Sequence, residues 1–73
     1  MQEARSHHSR TIPLLTSREK EVLLLLMEGY TCREVATRLY LSPETIKTHR
    51  RNLYDKLDVR TGVQLGAVGM RYL

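Results

Sequence analysis

The chain has a single cysteine, Cys32, so no disulfide can form within it. Its histidines are His7, His8 and His49, and a structural zinc site needs four well-spaced nitrogen or sulfur ligands. No metal and no other cofactor is therefore expected. Long apolar runs are also missing: the longest, Val22 to Met27, falls far short of the roughly 18 residues that span a membrane. Met1 is not followed by a basic and then an apolar stretch, so no secretory signal is expected. An unpaired cysteine fits a reducing, cytoplasmic setting. Catalytic sets are lacking as well. Apart from Ser6 and Ser9, which flank His7-His8 in the polar N-terminal stretch, no serine or cysteine has an adjacent base, and no glycine-rich phosphate loop occurs, which argues against an enzyme.

What remains is small and basic. Seventy-three residues make one domain, and below about 80 residues a core supplies only a few kcal/mol, so helix packing or a partner chain must supply the rest. Twelve Lys and Arg against eight Asp and Glu give a net charge of +4. That excess suits a polyanionic partner, although an ordinary solvated surface can carry it too.

Residues 1–13, "MQEARSHHSRTIP", are polar and aperiodic and read as a flexible leader or linker, with Pro13 disfavouring helix at Ile12. The domain should occupy 14–73 and be all-α. Thr16 with Glu19 is a capping box, and Leu15 before it can act as a hydrophobic staple. The helix they open should run until Gly29, a good terminator. Thr31 with Glu34 opens a second helix over about 32–40. Ser42 followed by Pro43 caps a third, extending to about Leu57 or Asp58. Thr61 with Gln64 reads as a third capping box, opening a helix from Gly62 to about Tyr72. Gly62, Gly66 and Gly69 weaken that last helix by roughly 1 kcal/mol each at interior positions. Nothing alternates as a strand would. The second and third helices are separated by only Leu41 and Ser42, the spacing of a helix-turn-helix, although any small helical bundle could have it.

The third helix has two faces. At about 100° per residue, Leu53 and Leu57 fall within roughly 20° of Ile46 and define an apolar stripe. Lys47, Thr48 and Arg51 project from the opposite side, with Glu44 and Asp55 among them, while Arg50 and His49 sit at the stripe's edges. Arg50 can lay its stem along the apolar surface and send its guanidinium outward. Arg and Lys can donate to guanine O6 and N7, and a threonine methyl can meet a thymine methyl. Lys47, Thr48 and Arg51 are thus the candidate base-reading residues. Thr31, Arg33, Thr45, Asn52, Lys56 and Arg60 are available for phosphates, which side chains and helix starts bind. A plain solvated face would also mix charges as this one does.

The segment "LTSREKEVLLLLMEGYTCREVATRLYLSPETIKTHRRNLYDKLDV" resembles the LuxR-type, or GerE-like, helix-turn-helix domain of bacterial transcriptional regulators. The resemblance rests on "LTSREKEVL", Gly29, "EVA" with Leu39, "LS" followed by "TIKTH", Asn52, and Lys56-Leu57, in that order. It implies a four-helix bundle in which helices 2 and 3 read double-stranded DNA and helix 4 forms a homodimer. By similarity Lys47, Thr48 and Arg51 approach bases, Thr45 and Lys56 approach phosphate, and Glu19 and His49 are structural, His49 with a phosphate within its reach. The sequence departs from the family at Cys32, where asparagine is common, and at Gly62, where an arginine is usual and which only Arg60 stands near. Cys32 reads as a small, partly buried side chain or as a redox-sensitive thiol.

On the last helix, Val63 and Ala67 are expected to close the core. Leu65, Val68, Met70 and Tyr72 are expected to form a two-fold interface, unless the helix is a frayed end without a partner. Leu24, outward on the first helix, is a further candidate contact for RNA polymerase or a partner regulator. The resemblance covers no receiver, ligand-binding or ATPase domain, which leaves either the output domain of a larger regulator or a solitary member of the family. Two rivals stay open. One is the promoter-binding region 4 of a sigma factor, against which "KTHRRNLYDKL" and the fourth helix argue. The other is a protein-interaction module or inhibitor pairing through helix 4.

Overall fold

The computed structural model describes residues 14–73; the leader and the His7-His8 pair lie outside the described residues. Among these residues four helices follow one another: α1 (Ser17–Met27), α2 (Cys32–Leu39), α3 (Pro43–Leu57) and α4 (Gly62–Gly69), and a 3-10 turn, Met70–Tyr72, follows α4. Among the described residues there is no strand. None of these helices is long and apolar enough to cross a membrane.

Each helix starts where a hydroxyl side chain takes up an orphan backbone N–H. Thr16 Oγ1 accepts from the Glu19 N–H at 3.0 Å, while the Thr16 N–H donates to Glu19 Oε1 at 2.9 Å. Thr31 and Glu34 repeat the exchange at 3.1 and 2.8 Å. Ser42 Oγ accepts from the Thr45 N–H, with Pro43 in the first turn. The fourth start departs from the expected capping box. Thr61 Oγ1 accepts from the Gln64 N–H, but Gln64 Oε1 reaches past the cap and accepts from the Arg60 N–H at 2.7 Å.

Three helices stop in one manner. The chain turns left-handed at Gly29 (φ 99°), Tyr40 (φ 59°) and Asp58 (φ 56°). The next residue then donates its N–H back to the helix: Tyr30 to Leu25 O, Leu41 to Ala36 O and Val59 to Tyr54 O, at 3.2, 2.9 and 3.0 Å. An apolar side chain following each turn packs on the core, the hydrophobic contact that accompanies such stops.

Helix α3 lies at the centre and touches the other three. Ile46 and Leu53 are fully buried on it, facing Val22 and Leu23 of α1 and Val35 of α2 in one cluster. Each such side chain contributes about 1.5–3 kcal/mol by leaving water, a large share of what so small a domain can muster.

Helix α4 packs with a different face inward from the one expected. Leu65 is buried in the domain's own core and so is not free for an interface, whereas Val63 is 85 % exposed and Ala67 is also exposed. Leu65–Gly69 and Val63–Ala67 are both spaced four apart, so periodicity cannot choose between them. Gly69 decides it: a Cβ there would come within 2.6 Å of Met27 Sδ and 3.2 Å of Leu23 Cδ1. Its bareness lets α4 lie against α1, with Leu65 turned inward. At Gly66 a Cβ would meet open space. Helix geometry ends at Gly69, and the expected extension to Tyr72 tightens to 3-10.

Candidate nucleic-acid interface

The burial pattern of α3 gives this site its form. With Ile46, Leu53 and Leu57 held in the core, Lys47, Thr48 and Arg51 all stand exposed on the other side. The three share a rigid face because the apolar stripe fixes the helix's rotation about its axis. Lys47 Nζ lies 3.6 Å from Glu44 Oε2, both side chains at least half exposed, a pair that salt and water leave weak. Thr48 Oγ1 donates to the Glu44 carbonyl at 3.2 Å, which turns its methyl group away from that carbonyl. The Arg51 side chain makes no hydrogen bond or ion pair with another described residue. All three side chains can therefore exchange their present partners for an external acceptor at small cost.

The candidate phosphate residues divide. Arg33, Asn52 and Arg60 are exposed, two of them carrying charge. Thr31 and Thr45 sit at helix starts, but their hydroxyls are engaged, Thr31 as the α2 cap and Thr45 with Ser42 Oγ at 2.9 Å. Lys56 differs most. Its ammonium donates to Glu19 Oε1 at 2.8 Å and to the Leu14 carbonyl at 3.3 Å. A phosphate contact by Lys56 would have to compete with a buried carboxylate. That carboxylate is shifted: burial raises the Glu19 pKa, but the Lys56 hydrogen bond, the Thr16 contacts and the Lys56 charge outweigh it and hold the group below its ordinary value.

Two contacts were not legible in the sequence. Arg50 Nη1 donates to Cys32 Sγ at 3.3 Å, so the guanidinium expected to point outward turns back to the start of α2. The Arg38 guanidinium stacks over the Tyr30 ring, 4.1 Å from its centroid, within the usual range for a cation–π pair. Neither pair lies within a single helix, so no helical spacing announces it. His49 is half-buried at the edge of the α3 stripe. Among the described residues no three His, Cys, Asp or Glu gather as a metal site would require.

On the candidate two-fold face, Met70 is 70 % exposed, while Val68 and Tyr72 are half-buried against the core. Leu73 and Val63 add apolar area nearby in sequence.

Comparison with known proteins places this arrangement. Residues 13–68 match the family described as bacterial regulatory proteins, luxR family. The chain is 46 % identical over 57 residues to the uncharacterized response regulatory protein YgeK of Escherichia coli, covering 78 % of this chain and 39 % of that protein. It is 38 % identical over 69 residues to the probable transcriptional regulatory protein NarL of Mycobacterium tuberculosis, covering 94 % of this chain and 32 % of the relative. To the response regulator protein VraR of Staphylococcus aureus it is 41 % identical over 51 residues, 70 % of this chain and 24 % of the relative. The chain thus spans between about a quarter and two fifths of the length of these relatives. With its four helices in order and a tight turn joining α2 to α3, the chain belongs to the luxR family and carries that family's helix-turn-helix domain.

Proposed function

We propose that the chain binds double-stranded DNA in a sequence-specific manner, as the DNA-binding domain of a bacterial transcriptional regulator acting in the cytoplasm. The observation that carries this reading is the joint exposure of Lys47, Thr48 and Arg51 on the face of α3 opposite the buried Ile46 and Leu53. In this reading α3 enters the major groove and those three side chains meet base edges. Arg33, Asn52 and Arg60 face phosphates, with Thr31 and Thr45 at the helix starts; Lys56 joins them only by leaving Glu19. The relatives named as response and transcriptional regulators support the regulatory half of the reading.

A homodimer through Met70, Val68 and Tyr72, joined by Val63 and Leu73, would read two half-sites about one helical turn apart. Leu24, 45 % exposed on α1, is a candidate contact for RNA polymerase or a partner regulator. Selection of bound sequences from a random duplex library tests the whole reading. A two-fold symmetric site is the expected outcome, and a single half-site would remove the dimer while keeping the reading helix. No enrichment would favour a protein-interaction module instead. Arg51→Ala should cost about 1–3 kcal/mol on the selected site and relax one base position; an equal loss on unrelated DNA would assign Arg51 to phosphate.

A further inference from the structure

The three left-handed stops use three different residues. Glycine adopts that backbone freely, and aspartate tolerates it. Tyrosine does not, because its Cβ meets the following carbonyl, yet Tyr40 sits there at φ 59°, ψ 41°. Its ring returns nothing to the fold, since the residue is 94 % exposed, the most exposed of the large apolar side chains. Neither backbone preference nor packing accounts for a tyrosine at this position.

The turn around it is firmly built. Leu41 packs on the core and donates back to Ala36 O, Ser42 caps α3, and Pro43 begins it. Tyr40 therefore stands on a fixed corner three residues before the first residue of the reading helix. When a helix-turn-helix docks, its first helix crosses the backbone and the N-terminal end of its second enters the groove. The corner joining them passes beside the phosphates at the groove's edge. Tyrosine is among the side chains that donate to phosphate oxygens there.

We propose that Tyr40 contacts DNA directly, its phenol hydroxyl donating to a phosphate oxygen at the edge of the groove that α3 enters. The inference rests on the DNA-binding reading and adds a positioning contact to it. Such a contact carries no sequence information, and because the phenol bears no charge it leaves the salt dependence of affinity as it was.

Fluorescence anisotropy tests this with the wild-type chain, Tyr40→Phe, Tyr40→Gly and Arg51→Ala, on the selected duplex and on an unrelated one, at several salt concentrations. Tyr40→Phe should bind both duplexes more weakly by roughly tenfold, the loss of one hydrogen bond to a charged acceptor, with an unchanged salt slope. Tyr40→Gly should lose at least as much affinity while its thermal midpoint rises by roughly 4 °C as the backbone strain is relieved. Opposite movements of affinity and stability are what a purely structural tyrosine would not give. Wild-type affinity in both Tyr40 variants, with selectivity still lost in Arg51→Ala, would overturn the Tyr40 contact and leave the DNA reading intact. A loss on the selected duplex alone would overturn the phosphate assignment. Absence of duplex binding by the wild-type chain would overturn both.

Discussion

The starts of α1 and α2 are written in the same four-residue grammar and carry different weight. Thr16-x-x-Glu19 and Thr31-x-x-Glu34 make the same reciprocal pair of hydrogen bonds, with distances agreeing within 0.1 Å. Glu34 is exposed, and beyond the Thr31 N–H no hydrogen bond or ion pair joins its carboxylate to a described residue. Glu19 is 5 % exposed, and the same oxygen that accepts from Thr16 also receives the Lys56 ammonium, which arrives from the last turn of α3, 37 residues on. One box ends a helix; the other also fastens two helices together. A local motif thus gains most of its worth from what the fold brings to it.

Removing the buried member should show the difference most strongly. Glu19→Ala deletes half a capping box and strands the Lys56 ammonium among the groups it leaves, at a cost of about 2–3 kcal/mol. Urea denaturation followed by circular dichroism measures this, and a loss no larger than that of an exposed cap would erase the contrast between the two starts.

Charge gives the second test, of smaller size. The folded Glu19 pKa lies below its ordinary value of 4.5, so the pair's stabilisation is complete above that value and is lost as pH falls through the folded one. Lys56→Met leaves Glu19 buried without its cation, and its pKa should then rise because burial is the largest influence left. The variant should be less stable than the wild-type chain by about 1–2 kcal/mol at pH 7. The gap should close in acid, where a protonated Glu19 no longer needs Lys56. Thermal melts from pH 7 to pH 3 follow it; a gap independent of pH would mean that the lysine's methylenes matter and its charge does not.

Why some of this was legible in the sequence and some was not follows from the range of each interaction. Caps, the proline at the start of α3 and the stripe Ile46, Leu53, Leu57 are set within a single helix or its first turn, so sequence spacing reveals them. The same holds for Lys47, Thr48 and Arg51, which are exposed because they oppose that stripe. The inward face of α4 was not legible, because two stripes four apart competed and the close approach of Gly69 to Met27 settled the matter. Lys56 read as a surface cation for the same reason: nothing near it in sequence announces Glu19. Tyr40 was hidden by its own type, since a tyrosine after "ATRL" continues a helix on paper.

The smallest effect sharpens the comparison furthest. Glu34→Ala removes the chemically equivalent carboxylate from an exposed start, leaving the Thr31 hydroxyl to cap alone. The expected cost is about 0.5 kcal/mol, the lower end for a cap whose lost partner water can replace. Combined with Glu19→Ala the two losses should simply add, as they do for sites that share no partner. A Glu34→Ala loss as large as that of Glu19→Ala would mean that the capping bonds themselves, and not burial and the Lys56 bridge, hold both helices in place.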